Sequence, residues 1–290
     1  MRTDAHHHLW DLSEVHYPWL METGVPRFFG DPSSIQRNYL LEEFRADAAR
    51  QGISRSVHIQ VGAESGWEEA KWVQGVADAH PDWPLVQVAF CDLTAPDREA
   101  QLDQLHDLPS LRGVRQIIGR APGEDSQTGT NAILDDPRFL EGLQSLGERG
   151  LSFDLQLLPE LMPGTGQVLA QAPQTRVALC HAGSPYDRSG RGISFWAEQL
   201  ESLSALPQVT CKLSGLGMFD HAWTAEALRP IVETVMHQFG PHRVMFGSNF
   251  PVDSLSSSYA QLVEAYETLI PDEDHDAVFN TTAAAFYGWA

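Results

Sequence analysis

The chain has 290 residues, of which 42% are hydrophobic and 20% charged, with a formal net charge of −20 and a pI near 4.8. So acidic a protein lacks the basic surface that nucleic acid or an anionic membrane requires, while its apolar content is that of an ordinary large globular core. No apolar run reaches the ~18 residues of a membrane span and no basic-then-apolar segment opens the chain; Cys91, Cys180 and Cys211 form no CxxC pair, so buried free thiols and a cytoplasmic location are expected.

Residues 2–7 read as a first strand that runs into His6, His7 and His8. Alternation puts His6 and His8 on one face, about 7 Å apart at ~3.3 Å rise per residue, with His7 on the other. Two imidazoles so placed can converge on a metal or an oxyanion. The continuation Leu9-Trp10-Asp11-Leu12 is apolar, folded sequence and not the flank of an affinity tag. From Leu9 to Arg37 the connection is long and carries Trp10, Tyr17, Trp19, Phe28 and Phe29 among three prolines, which predicts an aromatic β1–α1 loop packed over the site.

Further strands are predicted at Ser54–Gln60, Leu85–Cys91, Leu111–Ile117, Leu151–Leu157, Arg176–His181, Gln208–Leu213 and Arg243–Gly247. Between them lie helical patterns at Glu42–Gln51, Trp67–Ala79, Asp97–His106, Pro137–Arg149, Gly164–Gln171, Ser194–Ala205, Ala225–Phe239 and Ser257–Leu269, with a last helix at Asp272–Phe286. Gly52, Pro84, Gly150 and Pro207 punctuate helix ends ahead of strands. A strand–helix unit repeated eight times predicts an α/β protein, a single (β/α)8 TIM-barrel domain over residues 1–290. The competitor, an open doubly wound sheet binding a dinucleotide, is weakened by the absence of a G-x-G-x-x-G after any strand.

A barrel carries its chemistry at the carboxyl ends of its strands. Those ends present His6, His8, Gln60, Arg115, Asp154, Gln156, His181, Lys212, Ser214, Asn249 and Asp253. His181 terminates an apolar strand, and Arg115 offers a planar fork suited to a substrate carboxylate or to a structural one. Asp154 and Gln156 share one strand face; if that face lines the mouth, both reach substrate, and otherwise Asp154 is a cap. Trp10, Tyr17 and Trp19 are candidate pocket walls. His7, His16, His58, His80, His106, His221, His237, His242 and His275 sit in strand or helix interiors and are read as surface or packing residues.

Several segments together resemble the amidohydrolase superfamily, in its lactonase branch with fuconolactonase and 2-pyrone-4,6-dicarboxylate lactonase. They are Asp4-Ala5-His6-His7-His8-Leu9-Trp10-Asp11, Tyr17-Pro18-Trp19-Leu20, Leu111-Arg112-Gly113-Val114-Arg115, Cys180-His181-Ala182-Gly183, Cys211-Lys212-Leu213-Ser214-Gly215-Leu216, Phe246-Gly247-Ser248-Asn249-Phe250-Pro251-Val252-Asp253, and Asn280 through Tyr287. The resemblance implies a distorted (β/α)8 barrel in which His6, His8 and His181 ligate a divalent metal such as zinc or, where no metal is required, polarise the substrate carbonyl. The branch carries an aspartate after Gly-Ser on strand eight; here that residue is Asn249, an amide that neither takes a proton at neutral pH nor binds zinc well. The leading expectation is a hydrolase that opens a small cyclic ester, a sugar lactone or a carboxylated lactone, with Arg115 on the substrate, Asn249 on the oxyanion or water, and Asp253, Asp154 or His181 as base. Loss of the water-activating carboxylate makes a lactone isomerase or a decarboxylase the second reading. A non-catalytic barrel binding a small carboxylate is the third reading, disfavoured by three imidazoles at one site. The expected partner is a small-molecule substrate, and the sequence leaves a homo-oligomer open.

Overall fold

The computed structural model describes residues 1–120 and 132–289. Eight parallel strands run in sequence order around one sheet: β1 (Arg2–His7), β2 (Ile53–Ile59), β3 (Leu85–Phe90), β4 (Leu111–Ile117), β5 (Ser152–Gln156), β6 (Val177–Leu179), β7 (Val209–Leu213) and β8 (Val244–Phe246). The seam between β8 and β1 is bridged just beyond β8, where Asn249 N donates to the His6 carbonyl at 2.7 Å and His8 N to the Phe250 carbonyl at 2.8 Å. The result is a nearly closed (β/α)8 barrel, as the alternation of elements predicts.

Ten α-helices accompany the strands among the described residues: α1 (Pro18–Met21), α2 (Leu41–Ala48), α3 (Gly66–Ala79), α4 (Arg98–His106), α5 (Pro137–Glu148), α6 (Met162–Leu169), α7 (Gly190–Ser204), α8 (Ala225–Phe239), α9 (Tyr259–Leu269) and α10 (Thr282–Tyr287). Several start on side-chain caps that the sequence supplies, among them Ser65, Asp136, Ser189, Thr224 and the Ser258–Gln261 capping box. Apolar faces of these helices pack against the outside of the sheet, while Ala5, Val57, Ile59, Val88, Ala178 and Met245 fill the inside. The last predicted helix is broken: a wide turn at Ala277–Thr281 precedes α10, whose Phe286 and Tyr287 join the inner cluster. No helix among the described residues is long and apolar enough to cross a membrane.

Two strand ends differ from the sequence prediction in a way that matters. β6 stops at Leu179, and His181 and Ala182 adopt left-handed backbone, φ 55° and 51°. β8 stops at Phe246, and Asn249 is also left-handed at φ 56°. Such conformations are disfavoured for side chains with a Cβ and persist where surrounding structure enforces them, commonly at functional sites. Both turns lift a polar side chain off the strand line and into the barrel mouth.

Candidate active site

Asp4 organises the first strand. Its buried carboxylate accepts from His6 N and Ser248 N at 3.0 Å each and from the Tyr259 hydroxyl at 2.9 Å, tying β1 to the segment after β8. Burial raises its pKa to about 6 despite those hydrogen bonds. With β1 so fixed, the period-two expectation holds: the His6 and His8 rings lie 5.1 Å apart edge to face, and His7 stacks at 3.9 Å on Phe44 of the helix layer.

His181 completes the cluster, its ring centroid 4.6 Å from that of His6. The approach depends on Gly215, where a Cβ would lie 2.3 Å from His181 Nδ1. His181 Nδ1 pairs instead with the Ser214 hydroxyl at 3.0 Å. All three imidazoles are held neutral. Burial is the main cause in each case, followed by His181 for His6 and by Arg115 for His8 and His181; His8 falls to about 3. His8 Nδ1 lies 2.8 Å from the Ile59 carbonyl, which can only accept, so the neutral ring carries its proton there and leaves a lone pair on Nε2. Asn249 Oδ1 lies 3.2 Å from that nitrogen, and Asn249 Nδ2 donates to Asp253 Oδ1 at 2.8 Å. The second Asp253 oxygen is buried without a partner, and burial raises this carboxyl to about 7.

Above the histidines lies a cavity of about 260 Å³ walled by His8, His181, Asn249, Arg115, Gln156 and Trp19, with Arg27, Phe28 and Phe29 of the long loop on its outer side. Arg115 is 5% exposed and donates to the Gln60 carbonyl at 2.8 Å and to Gln156 Oε1 at 3.4 Å, so Gln60 holds the arginine through its backbone. Trp10 and Tyr17 do not line the cavity. Both are fully buried, Trp10 donating to the Arg37 carbonyl at 2.6 Å, and they underpin the loop. Asp154 and Lys212 are likewise away from the wall, fully buried and joined at 2.5 Å, with the Tyr287 hydroxyl donating to Asp154 at 3.2 Å. Of the two residues sharing a face on β5, the outer one, Gln156, reaches the mouth and the inner one pairs with lysine.

Residues 3–289 match the family model named Amidohydrolase. The chain belongs to the amidohydrolase family. An uncharacterised Sinorhizobium fredii protein, y4mH, is 37% identical over 98% of this chain and 97% of its own. An L-fucono-1,5-lactonase of Burkholderia multivorans is 29% identical over 99% and 96%. Among solved structures, an amidohydrolase of B. multivorans with bound zinc superposes with a TM-score of 0.83 at 26% identity, covering 99% of both chains. The relatives of this amidohydrolase thus include lactone hydrolases.

Zinc in that neighbour makes the donor set here worth testing. Both ring nitrogens of His6 are buried without partners, as an absent ligand would leave them. Yet among the described residues the group of potential ligand atoms lying mutually within 4.8 Å is His6, Asp154 and Cys180, and not the expected His6, His8 and His181. In that group Asp154 already holds the Lys212 ammonium, and burial pushes the Cys180 thiol up to about 12, far from the thiolate a metal takes. These residues do not fit a divalent ion as they stand, and beside His8 the side chain of Asn249 offers an amide where the resemblance implies a carboxylate.

Three residues that line or brace the site carry no mark in the sequence. Arg27 sits in a loop without period, Asp4 looks like an ordinary strand residue, and His221, read as packing, contacts the Phe29 carbonyl at 2.6 Å.

Proposed function

We propose that this amidohydrolase opens a small cyclic ester, adding water across the ring C–O bond to give a hydroxy acid. The observation that carries the reading is the set of neutral imidazoles on the wall of a cavity that also holds a buried arginine, within a family whose relatives include lactonases.

In the proposed reaction water bonds to the carbonyl carbon while its proton passes to His8 Nε2, the nitrogen that the Nδ1 contact with Ile59 leaves without a proton. The carbonyl π electrons move to oxygen, and His181 with the Asn249 amide faces that charge. Collapse of the tetrahedral intermediate breaks the bond to the ring oxygen, which takes the proton back from His8. Asp253, near its midpoint at neutral pH, steadies the amide from behind. Arg115 anchors the rest of the ring. No step is assigned to a metal, because the donors do not fit one.

Acid release from a panel of five- and six-membered lactones, followed by pH indicator, tests this. Turnover is expected, and His8→Ala should lower kcat by a factor of ~10²–10⁴, the usual worth of a positioned general base. A panel that yields no acid sinks the reading; conversion of a lactone to a regioisomer without acid establishes the isomerase instead.

A further inference from the structure

The loop between β1 and α2 ends in a two-residue hairpin. Arg27 and Gly30 exchange backbone hydrogen bonds of 2.9 Å in both directions, leaving Phe28 and Phe29 at the tip. Phe28 stacks on Phe219 at 5.8 Å, Phe29 meets Trp19 at 5.9 Å, and His221 Nε2 donates to the Phe29 carbonyl at 2.6 Å. The hairpin is therefore pinned to the far side of the mouth, and the side chain of Arg27 is 20% exposed on the cavity wall.

The Arg27 guanidinium is only partly satisfied. Nη2 donates to the Trp19 carbonyl at 3.3 Å and to Glu22 at 3.2 Å, but that carboxylate is 60% exposed and screened by water, and Nε is buried with no partner. Arg115, across the cavity, also has a buried, unpartnered Nε, and its hydrogen bonds go to neutral oxygens. Arg115 is thus a buried cation with no carboxylate among its hydrogen bonds, which is costly unless a counter-charge arrives, and Arg27 is offset only by an exposed one. Among the described residues of the wall there are three arginines, Arg27, Arg115 and Arg120, and no Asp or Glu, so its charge is positive and its side-chain acceptors are neutral. What the wall does offer a ring is aromatic and aliphatic surface from Trp19, Phe28, Phe29 and Ile117.

We infer that Arg27 is a specificity-determining residue that selects lactones bearing a carboxylate over neutral sugar lactones. The inference rests on the ring-opening reading and narrows it to an anionic, sparsely hydroxylated substrate. Arg115 supplies the inner positive charge, Arg27 the outer one, and the planar guanidinium fork suits a carboxylate in either place.

The test compares γ-butyrolactone-γ-carboxylate, its carboxamide and a neutral aldonolactone on wild type, Arg27→Gln and Arg27→Lys. Wild type should prefer the carboxylate, and Arg27→Gln should cut the preference about tenfold to a hundredfold, mainly through KM, as loss of a charge-assisted hydrogen bond would. Arg27→Lys should retain part of it. A preference for the neutral lactones, or equal loss on all substrates with a lowered Tm, would overturn the inference and leave Arg27 a brace for the loop. If no lactone turns over, the ring-opening reading fails separately; calorimetry with 2-hydroxyglutarate then decides, since binding that weakens in Arg27→Gln upholds the anion site and no binding to wild type rejects it.

Discussion

The Asn249 side chain stands between His8 and Asp253, 3.2 Å from His8 Nε2 on one side and 2.8 Å from Asp253 Oδ1 on the other. An amide has one donor end and one acceptor end, so it matches its neighbours only if their protonation states are complementary. With His8 neutral and its Nε2 bare, the amide NH₂ belongs toward His8 and its oxygen toward a protonated Asp253. With Asp253 ionised, the amide turns over and its oxygen calls for a proton on His8. One proton is thus shared across the three groups, and the amide orientation follows it.

Asn249→Asp removes the donor end and sets a second carboxylate beside Asp253. Two adjacent carboxyls share a proton or attract a cation, and this one also lies against His8. Zinc binding, measured by calorimetry and by metal content after dialysis, should tighten at least about tenfold, because a carboxylate is a far better ligand for zinc than an amide. Unchanged zinc affinity would mean that Asn249 is not what keeps the donor set from fitting a metal.

Asp253 makes a prediction about pH and stability. Its folded pKa, about 7, lies above the unfolded value near 3.8, so the native state holds a proton that the unfolded chain gives up in that window. This group's contribution is fully favourable below the unfolded value and is lost as pH rises through 7. Asp253→Asn should therefore gain stability over wild type between pH 5.5 and pH 8, on the order of 2 kcal/mol at about 1.4 kcal/mol per unit. Urea denaturation at the two pH values measures it; a difference that does not change with pH would show that Asp253 is ionised throughout.

Much of this site is legible in the sequence, for reasons the geometry makes plain. Strand alternation alone separates His6 and His8 from His7, and the strand–helix rhythm gives the barrel and hence the end at which to look. What sequence does not convey is depth. Asp154 and Gln156 occupy the same face of β5, but one residue pair further in is the difference between the cavity wall and a sealed ion pair with Lys212. Nor does sequence convey the left-handed turns that carry His181 and Asn249 past their strands, or Arg27, whose place is set by a hairpin held through tertiary contacts with Phe219 and His221.

The Lys212–Asp154 pair is wholly buried, and removing one partner leaves the other charge stranded. Lys212→Met should cost about 3–5 kcal/mol in urea unfolding, whereas the double variant Lys212→Met with Asp154→Leu should recover most of that. A double variant as unstable as the single one would mean that the pair does more than neutralise itself, for instance by positioning Tyr287, whose hydroxyl donates to Asp154 and whose ring lies 5.3 Å from Lys212 Nζ.

Gly30 tests the hairpin itself. Its φ is +104°, and a Cβ there would lie 2.6 Å from His221 Cε1, the ring that holds the hairpin down. Gly30→Ala combines backbone strain with a clash, and a penalty of roughly 1–2 kcal/mol for the first alone is expected to be felt locally. Amide exchange at Arg27 and Gly30, which donate the two cross-hairpin bonds, should accelerate about tenfold or more while exchange in β1 through β8 stays unchanged. Adding His221→Ala removes the clash but also the hydrogen bond to Phe29, so the double variant should exchange no more slowly than the single one. If instead it recovers wild-type protection, the pinning hydrogen bond contributes nothing and the hairpin is held by its aromatic contacts alone.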